Sequence, residues 1–313
     1  MHTPLVSVVI PTYNQPDFLR EALESVFAQT FKDYEVIVVN DGSTDGTAEL
    51  LEQYGDRIRV VTQDNQGIGR ARNRGMDAAV GRYIAFLDHD DLWHPSKLET
   101  QVAYMRDHPD CVGNSVPFAY SSAPNEVAFD LAIRNVDGIV PDALQVFAGG
   151  QIFLLSSALM IDRIKAGHLR YETRRQCIED LPLQLKLLSR GPFGIACEQV
   201  MVTYRMHAQN TTKSALHYDN GTQLLREISR KGEFEPVSER SRRAIDECIA
   251  FFGRTGALRL LIAGLRWRSM RSYIREFPHQ VRARRFKFLI LFPLLGLLPR
   301  FILRYRRPTD IGT

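Results

Sequence analysis

The segment YIAFLDHDDLW, from Tyr83 to Trp93, decides the fold and contains a candidate site. Its first five residues are largely apolar and typical of a buried β-strand of ordinary length. Asp88, Asp90 and Asp91 follow within four positions, where such a strand must end. Carboxylates this close together repel one another, so they need a cation, hydrogen-bond donors or solvent. Since Mg²⁺ and Mn²⁺ favour oxygen ligands and complete their shells with phosphate and water, the segment predicts a divalent-metal site for a diphosphate. A turn whose Asp residues cap the next helix is the structural alternative.

Predicted strands and helices alternate around this segment. Apolar runs predict strands over residues 5–10, 35–39, 58–62 and 83–87. The spacing of apolar residues predicts helices over 16–29, 48–51 and 67–79, and another marked by Leu98, Val102 and Met105. The connections are short and the strands are continuously apolar, which is typical of a parallel sheet covered by helices on both faces. The sequence therefore predicts an α/β fold with a mostly parallel, doubly wound sheet.

Polar residues follow several of these predicted strands. Thr12 and Asn14 come after the first, Asp41 after the second, and Asp88 and Asp90 after the fourth. Ligands of such sheets bind beyond the carboxyl ends of the strands, so these side chains are expected along one edge. No G-x-G-x-x-G motif follows the first strand, which argues against a dinucleotide-binding Rossmann domain. No G-x-x-x-x-G-K-[ST] motif occurs, which excludes a P-loop.

Length and composition set the broad class. The 313 residues, 44% hydrophobic and 24% charged, suffice for one large domain with an appendage or for two domains. The four scattered cysteines form no C-x-x-C pair, which fits a reducing compartment. The first residues lack the basic start and cleavage site of a signal peptide, so the expected location is cytoplasmic.

Charge is unevenly distributed along the chain. From Arg254 to Arg307 there are fourteen Lys or Arg residues and one acid, Glu276, so this segment carries +13 and the remainder −9 of the net +4. A basic tail on an acidic body predicts a polyanionic partner for the tail.

Four motifs in the first 110 residues together resemble glycosyltransferase family 2, whose members have the GT-A fold and use nucleotide sugars. The opening strand and loop VVIPTYN, from Val8 to Asn14, resemble those of the family, and VVNDGSTD, from Val38 to Asp45, is similar to its nucleobase-binding turn. The segment NQGIGRARN, from Asn65 to Asn73, resembles the family pattern N-x-G-x-x-x-A-R-N, and FLDHDD, from Phe86 to Asp91, resembles its D-x-D motif. This combination implies a metal-dependent transferase acting on a nucleoside diphosphate sugar.

The resemblance also implies roles for single residues. The implied donor-binding residues are Pro11, Thr12, Tyr13, Asn14, Asp41, Gly67, Arg70, Arg72 and Asp88. Pro11, Thr12 and Tyr13 would wall the base, and Asp41 would accept a hydrogen bond from it, most naturally from N3–H of uracil or thymine. Asp90 would hold Mn²⁺ or Mg²⁺ together with Asp88. The structural alternatives are a turn-capping role for Asp41 and a solvated helix face for the two arginines.

Activation of the acceptor hydroxyl requires a general base. Glu179 and Asp180 precede a predicted helix that has Leu181, Leu185 and Leu188 on one face, and a helix N-terminus favours an ionised acid. The resemblance makes Asp180 the catalytic base and assigns Glu179 to the acceptor side. A helix-capping acidic pair is the structural alternative.

Further residues complete the expected site. His207 lies in a segment similar to one in which the family's His approaches the metal or diphosphate, although a surface role is the alternative. Gly150 and Gln151 are expected to line the acceptor pocket, although loop glycines also serve backbone geometry. The Q-x-x-R-W motif of processive members is absent, because Ala263 stands where its Gln would be. The sequence therefore predicts transfer of one sugar per encounter.

The C-terminal region combines apolar and basic residues. Leu258, Leu261, Ile262 and Leu265 predict an apolar helical stripe. The later uncharged run of residues 288–299 is too short for the roughly 20 residues that span a bilayer. Basic clusters around it favour attachment to an anionic membrane surface, with a helical pair packed on the body or on a dimer partner as the alternative. A nucleic-acid partner is not expected, because the basic residues are interleaved with aliphatic ones.

The predicted organisation is a GT-A catalytic domain over residues 1–215, with a nucleotide-binding half (1–110) and an acceptor half (111–215), and a helical C-terminal region over 216–313. The predicted function is inverting, metal-dependent transfer of a sugar from a UDP- or dTDP-linked donor to a glycan or lipid-linked acceptor, on the cytoplasmic face of the membrane. Two other functions stay open: a sugar-1-phosphate nucleotidylyltransferase, and a non-catalytic membrane-tethered module that binds nucleotide sugars.

Overall fold

The structure is a computed structural model that describes residues 2–123, 126–128, 138–140, 142–148, 150, 152–175, 177–207, 210, 215–234, 238–282 and 286–295. Residues 122, 123, 126–128, 215, 294 and 295 are described by their backbone. The strands in these ranges are β1 Val6–Thr12, β2 Tyr34–Asn40, β3 Arg59–Thr62, β4 Tyr83–Phe86, β5 Leu92–Trp93, β6 Gly113–Ser115, β7 Phe118–Ala123, β8 Glu126–Ala128, β9 Gly138–Val140, β10 Met160–Asp162, β11 Phe193–Ile195 and β12 Val202–Arg205. The helices are α1 Pro16–Phe27, α2 Thr47–Glu52, α3 Ile68–Ala78, α4 Lys97–Asp107, α5 Ala143–Ala148, α6 Arg163–Ala166, α7 Leu181–Leu188, α8 Ala215–Arg230, α9 Glu239–Ile262, α10 Arg266–Arg282 and α11 Phe286–Leu295.

An eight-stranded sheet forms the centre of the first part of the chain, in the order β3-β2-β1-β4-β10-β6-β11-β9. The first four strands are mutually parallel, β10 runs antiparallel to both β4 and β6, and β11 is parallel to β6. A second sheet has the order β5-β12-β7-β8. The parallel half brings the carboxyl ends of β1, β2 and β4 to one edge, as predicted.

Helices cover both faces of this sheet because its central strands are apolar on both sides. Val6, Val8 and Ile10 of β1 belong to a buried cluster with residues of α1, α2 and α4. On the opposite face, α3 approaches so closely that a Cβ at Gly75 would lie 2.2 Å from Val9 Cγ1. The predicted doubly wound α/β fold is confirmed.

Two local predictions differ from the structure. The strand predicted over 58–62 forms as β3, but it lies at the sheet edge, and Val60 is 42% exposed rather than covered on both faces. The predicted apolar stripe is interrupted, because α9 ends at Ile262 and Gly264 has a φ of 80°, so Leu265 lies between two helices.

The chain divides into two compact units. The sheet unit comprises the described residues of Met1–Val146, Gln151–Arg175 and Glu179–Gln209, and the helical unit those of Phe147–Gly150, Gln176–Ile178 and Asn210–Thr313. The helical unit contains α8 to α11. The predicted boundary after residue 215 stays a prediction. Among the described residues, no helix combines the length and the apolar character that crossing a bilayer requires.

Candidate active site

Hydrogen bonds join the loops after β1 and β2 at the sheet edge. Asn14 donates its backbone N–H to Ser43 Oγ (2.8 Å), and its side-chain oxygen accepts from the backbone N–H of Thr44 (2.9 Å). Pro11 and Thr12 are buried in β1, whereas Tyr13 is 42% exposed beyond it. The predicted base-binding segment therefore presents Tyr13 as its accessible ring.

Asp41 is buried at the end of β2 and holds the loop that leads into α3. Its Oδ1 accepts hydrogen bonds from Gln63 Nε2 (2.7 Å) and from the backbone N–H of Gln66 (2.9 Å), and Oδ2 accepts from Gly67 N–H (2.8 Å). Gly67 has a φ of 94°, a conformation that favours glycine. These contacts match the structural alternative for Asp41. Because a carboxylate has about four acceptor positions, a contact with a base remains compatible with them.

Arg72 on α3 links two partly buried acids from distant parts of the chain. Its Nη2 donates to Asp88 Oδ1 (2.6 Å) and its Nη1 to Glu179 Oε1 (3.0 Å), while the residue is only 3% exposed. The guanidinium also lies over the ring of Tyr171, with its Cζ 5.0 Å from the ring centroid. Burial alone would lower the pKa of Arg72, but Asp88 and Glu179 raise it, so the side chain stays charged. The solvated helix face that was the alternative for Arg72 is wrong.

Arg70, two residues earlier, points to a different surface. It is exposed and donates to Gln66 Oε1 (3.2 Å). It lines an open cavity of about 330 Å³ together with Gln63, Gln66, Asn73, Arg74, Asp77 and Thr173. Arg70 therefore lies on a solvated face of α3, and its contact with a diphosphate stays a prediction.

The three carboxylates after β4 have different surroundings. Asp88 pairs with Arg72, and Asp90 Oδ2 lies 2.9 Å from His207 Nε2. Asp91 is fully buried, where it accepts hydrogen bonds from Ser157 Oγ (2.5 Å) and from the backbone N–H at Arg205 (3.2 Å). Burial raises the pKa of Asp91 well above its usual range, and the neighbouring Asp90 raises it further. The helix-capping alternative is wrong here, because α4 begins at Lys97 with Ser96 as its N-cap.

Glu179 and Asp180 stand at the start of α7. Asp180 occupies the N-cap position but makes no side-chain capping hydrogen bond, which removes the structural alternative for this residue. Burial, reinforced by the charge of Glu179, raises the pKa of Asp180 to about 7, although Arg72 opposes the shift. A carboxylate that titrates near neutral pH suits proton abstraction. Arg72 thus joins Asp88, predicted for donor binding, to Glu179, the neighbour of the predicted base Asp180.

The distance between the side chains of Asp90 and His207 can be compared with the spacing of two ligands on one divalent cation. Adjacent ligands of an octahedral ion bound at about 2.1 Å lie about 3 Å apart, which matches the 2.9 Å between Asp90 Oδ2 and His207 Nε2. Among the described residues, no group of three His, Cys, Asp or Glu side chains is placed to hold a metal. A site with one or two protein ligands, completed by diphosphate and water, is the usual arrangement for Mg²⁺. The donor set therefore fits such an ion when a diphosphate accompanies it.

The two predicted acceptor residues Gly150 and Gln151 stay predictions. Gln151 falls outside the described residues. Gly150 belongs to the helical unit and has a φ of 74°, which favours the backbone explanation for that glycine.

Sequence reasoning missed Ser157 and Tyr171. Ser157 Oγ donates to Asp91 and accepts from the backbone N–H of Asp88 (3.1 Å), and Tyr171 packs beside Arg72. Ser157 lies 66 or more residues away in sequence from Asp88 and Asp91, Tyr171 is still further from Arg72, and neither belongs to a motif.

Comparisons with solved structures identify the fold. Staphylococcus aureus TarS 1–349, in complex with UDP-GlcNAc, superposes with a TM-score of 0.62 at 15% identity, covering 90% of this chain and 91% of that one. The mannosyltransferase PcManGT from Pyrobaculum calidifontis, in complex with GDP-Man and Mn²⁺, gives a TM-score of 0.57 at 18% identity, covering 95% of this chain and 88% of that one. The fold is that of the GT-A-type glycosyltransferases.

Sequence comparisons identify the family. The model of "Glycosyl transferase family 2" matches residues 7–138. The putative teichuronic acid biosynthesis glycosyltransferase TuaG of Bacillus subtilis is 32% identical over 218 residues, which cover 65% of this chain and 79% of that protein. An uncharacterized glycosyltransferase of Rickettsia prowazekii is 45% identical over 102 residues, about a third of each chain. The chain belongs to glycosyltransferase family 2, and it is a glycosyltransferase.

Proposed function

We propose that this protein transfers one sugar, with inversion, from a UDP- or dTDP-linked donor to a hydroxyl group of a glycan or lipid-linked acceptor in cell-surface polysaccharide synthesis. The observation that carries the proposal is the position of Arg72, bonded to Asp88 on one side and to Glu179, next to Asp180, on the other. A donor held at Asp88 and an acceptor deprotonated by Asp180 then meet within one connected group of side chains.

In this mechanism Asp180 accepts the proton of the acceptor hydroxyl, whose oxygen attacks the anomeric carbon of the donor. Arg72 bonds to the neighbouring carboxylates of Asp88 and Glu179 and holds them in place. Asp90 and His207, with Asp88 beside them, would hold Mn²⁺ or Mg²⁺. That ion would offset the charge that develops on the departing diphosphate. The Mn²⁺ present in the PcManGT structure supports this assignment.

For the donor, we propose that the base lies against Pro11, Thr12 and Tyr13 and that Asp41 accepts its N–H. UDP and UDP-GlcNAc in structures of TarS support a uridine nucleotide, whereas GDP-Man in PcManGT represents the competing guanosine class. Gly67, Asn14 and Arg70 complete the donor side. A panel of UDP-, dTDP- and GDP-sugars with Mn²⁺, read by thermal shift, separates these classes, because a ligand that binds only the folded state raises the melting temperature.

The role in polysaccharide synthesis rests on the name of TuaG, which attributes teichuronic acid biosynthesis to that protein. The acceptor side would include Glu179, Gly150 and Gln151. The basic region from Arg254 to Arg307 would bring the enzyme to the anionic cytoplasmic face of the cell membrane, where lipid-linked acceptors are available.

The decisive variant is Asp180→Asn. It is expected to reduce the transfer rate by about 10²–10⁴-fold, the usual contribution of a general base, while the Kd for the donor with Mn²⁺ stays within about twofold, since the amide keeps the shape of the side chain. Transfer is measured with radiolabelled donor and a cell-envelope extract as acceptor, and binding by calorimetry. Asp17→Asn, at an exposed position of α1, is the control and should leave both unchanged.

Two outcomes would overturn the proposal. Release of pyrophosphate from a sugar 1-phosphate and a nucleoside triphosphate would identify a nucleotidylyltransferase. Donor binding without transfer or hydrolysis in the unaltered protein would identify a binding module.

A further inference from the structure

Helix α10 buries a largely polar side. Its buried residues are Ser269, Ser272, Tyr273, Glu276 and Gln280. Several of them pack through hydrogen bonds: Ser269 Oγ donates to the Ala257 carbonyl (2.7 Å), Ser272 Oγ to Asp219 Oδ1 (2.9 Å), and Gln280 Nε2 to the Ala250 carbonyl (2.5 Å). The polar side of α10 is therefore the side that faces the helical unit.

The outward side of α10 carries an apolar stripe. Trp267 is 88% exposed, Ile274 64% and Val281 40%. These positions are seven residues apart, so each side chain leaves the helix in a direction only about 20° from that of the previous one. Phe277 is exposed beside this stripe. A monomer in water gains nothing from such an arrangement, which indicates a surface that another phase or molecule covers.

Basic residues flank the stripe on one side. Arg268 and Arg271 are exposed, and within the described residues neither has an acidic partner. Helix α11 adds further exposed groups, Phe286, Lys287 and Ile290, while Phe292 of the same helix stacks on Tyr273 with ring centroids 4.9 Å apart. Exposed aromatic and aliphatic groups bordered by Arg and Lys are the composition of helices that lie in the interface of an anionic bilayer.

We infer that the outward face of α10 is a membrane-docking surface, in which Trp267, Ile274 and Val281 enter the headgroup region of an anionic bilayer while Arg268 and Arg271 bind lipid phosphates. The inference deepens the peripheral membrane association proposed above and rests on it. It assigns the contact to a folded face rather than to the basic tail alone. The apolar stripe distinguishes a bilayer from a soluble polyanion, which would bind the arginines but leave the stripe in water.

The test uses the full chain and vesicles of equal parts phosphatidylglycerol and phosphatidylcholine, with pure phosphatidylcholine as reference. Replacing Ile274 and Val281 by Glu (I274E/V281E) should weaken co-sedimentation about tenfold or more, because two buried aliphatic groups are lost. R268A/R271A should weaken it about fivefold per residue. Ile164→Glu is the matched control, because Ile164 is 74% exposed but lies on α6 of the sheet unit.

Fluorescence gives an independent readout, because the chain has only two tryptophans and Trp93 is buried. Anionic vesicles should shift the emission to shorter wavelength, and Trp267→Phe should abolish the shift. Vesicle binding by I274E/V281E equal to that of the unaltered protein would assign attachment to the tail and overturn the inference. Loss of a dimer in that variant without vesicles, with vesicle binding unchanged, would assign the face to a second copy and overturn it as well. Donor binding in vesicle-free solution, measured on the same variants, reports on the transferase proposal separately.

Discussion

Arg72 lies between Asp88 and Glu179, which are 91 residues apart in the sequence, and its charge compensates both of these partly buried carboxylates. The side chains of Asp88 and Glu179 are 17% and 16% exposed, so water screens neither of them well. Removing one partner of a buried ion pair is costly because the remaining charges stay uncompensated. The charge of Arg72 also affects Asp180. Burial raises the pKa of Asp180, and Arg72 acts to lower it.

Replacing Arg72 by Met therefore has two expected effects. The free energy of unfolding should fall by about 3 kcal/mol, as for other broken buried pairs. The pKa of Asp180 should rise, so the acid limb of the pH dependence of kcat/KM for transfer should move to higher pH. Urea unfolding measures the first effect and a pH–rate series the second.

The control for this variant is Arg70→Met on the same helix, since Arg70 is exposed and should change stability by less than about 0.5 kcal/mol. An unmoved acid limb in Arg72→Met would mean that Arg72 stabilises the fold but does not affect the pKa of Asp180.

At the scale of elements, α3 positions Arg72 only because it packs unusually close to the sheet. Gly75 lies three residues after Arg72, and a Cβ there would meet Val9 Cγ1 at 2.2 Å and Val39 Cγ2 at 3.3 Å. An Ala in a helix normally gains about 1 kcal/mol over Gly. Overpacking of a tight core typically costs about 1–3 kcal/mol, and at 2.2 Å from a rigid β-branched side chain this cost should prevail.

Gly75→Ala is thus expected to destabilise the protein by about 1–2 kcal/mol in urea unfolding and to weaken nucleotide binding, because α3 must shift away from β1. Gly46→Ala provides the comparison, since no heavy atom lies within 4 Å of its Cβ position, and it should change stability by less than about 0.5 kcal/mol. A Gly75→Ala protein as stable as the original would show that the sheet can yield at this point.

The first four strands and helices of the sheet unit could be predicted from sequence because each is specified locally. β1, β2 and β4 are runs of consecutive apolar residues, and α1 repeats its apolar positions at helical spacing. The strands β6, β9, β10 and β11 have three residues each and pair with strands far away in sequence. Such short strands exist only through long-range pairing, which no local pattern reveals.

The candidate site was predictable in its residue types and only partly in its contacts. The acids at the ends of β2 and β4 follow from the rule that polar groups gather where parallel strands end. The burial of Arg72 was not predictable, because an arginine among charged helix residues ordinarily faces water and its partner Glu179 is 107 residues away. The apolar stripe of α10 was not predicted from the sequence, and only the structure shows that Trp267, Ile274 and Val281 lie on one outward side of the helix.

On the scale of the whole molecule, both units bury an acid whose pKa is raised. In the sheet unit Asp91 is such an acid, and the partly exposed Asp180 also has a raised pKa. In the helical unit it is Glu276, which has no exposed surface and lies 3.1 Å from Arg226 and 3.8 Å from Arg275. Burial raises the pKa of Glu276 to about 7, although Arg226 acts against the shift. A Cβ at Gly253 would lie 2.6 Å from this carboxyl group, so the glycine leaves the space that Glu276 fills.

The direction of the resulting pH dependence follows from proton binding. An unfolded chain releases the Glu276 proton near pH 4.5, whereas the folded protein keeps it to about pH 7. Between these values the folded state binds more protons, so its stability is full below pH 4.5 and falls as the pH rises toward 7. Asp180 contributes a fall of the same sign, since its pKa is also raised to about 7.

Glu276→Gln should remove its part of this slope. The difference in unfolding free energy between the original protein and the variant should change by up to about 3 kcal/mol from pH 4.5 to pH 7, in the direction that favours the variant at higher pH. Urea unfolding at half-unit pH steps measures it. Glu239→Gln, at an 81% exposed position of α9, is the control and should follow the original curve. Parallel curves for Glu276→Gln and the original would mean that Arg226 and Arg275 keep Glu276 ionised throughout, and the helical unit would then owe its pH response to other groups.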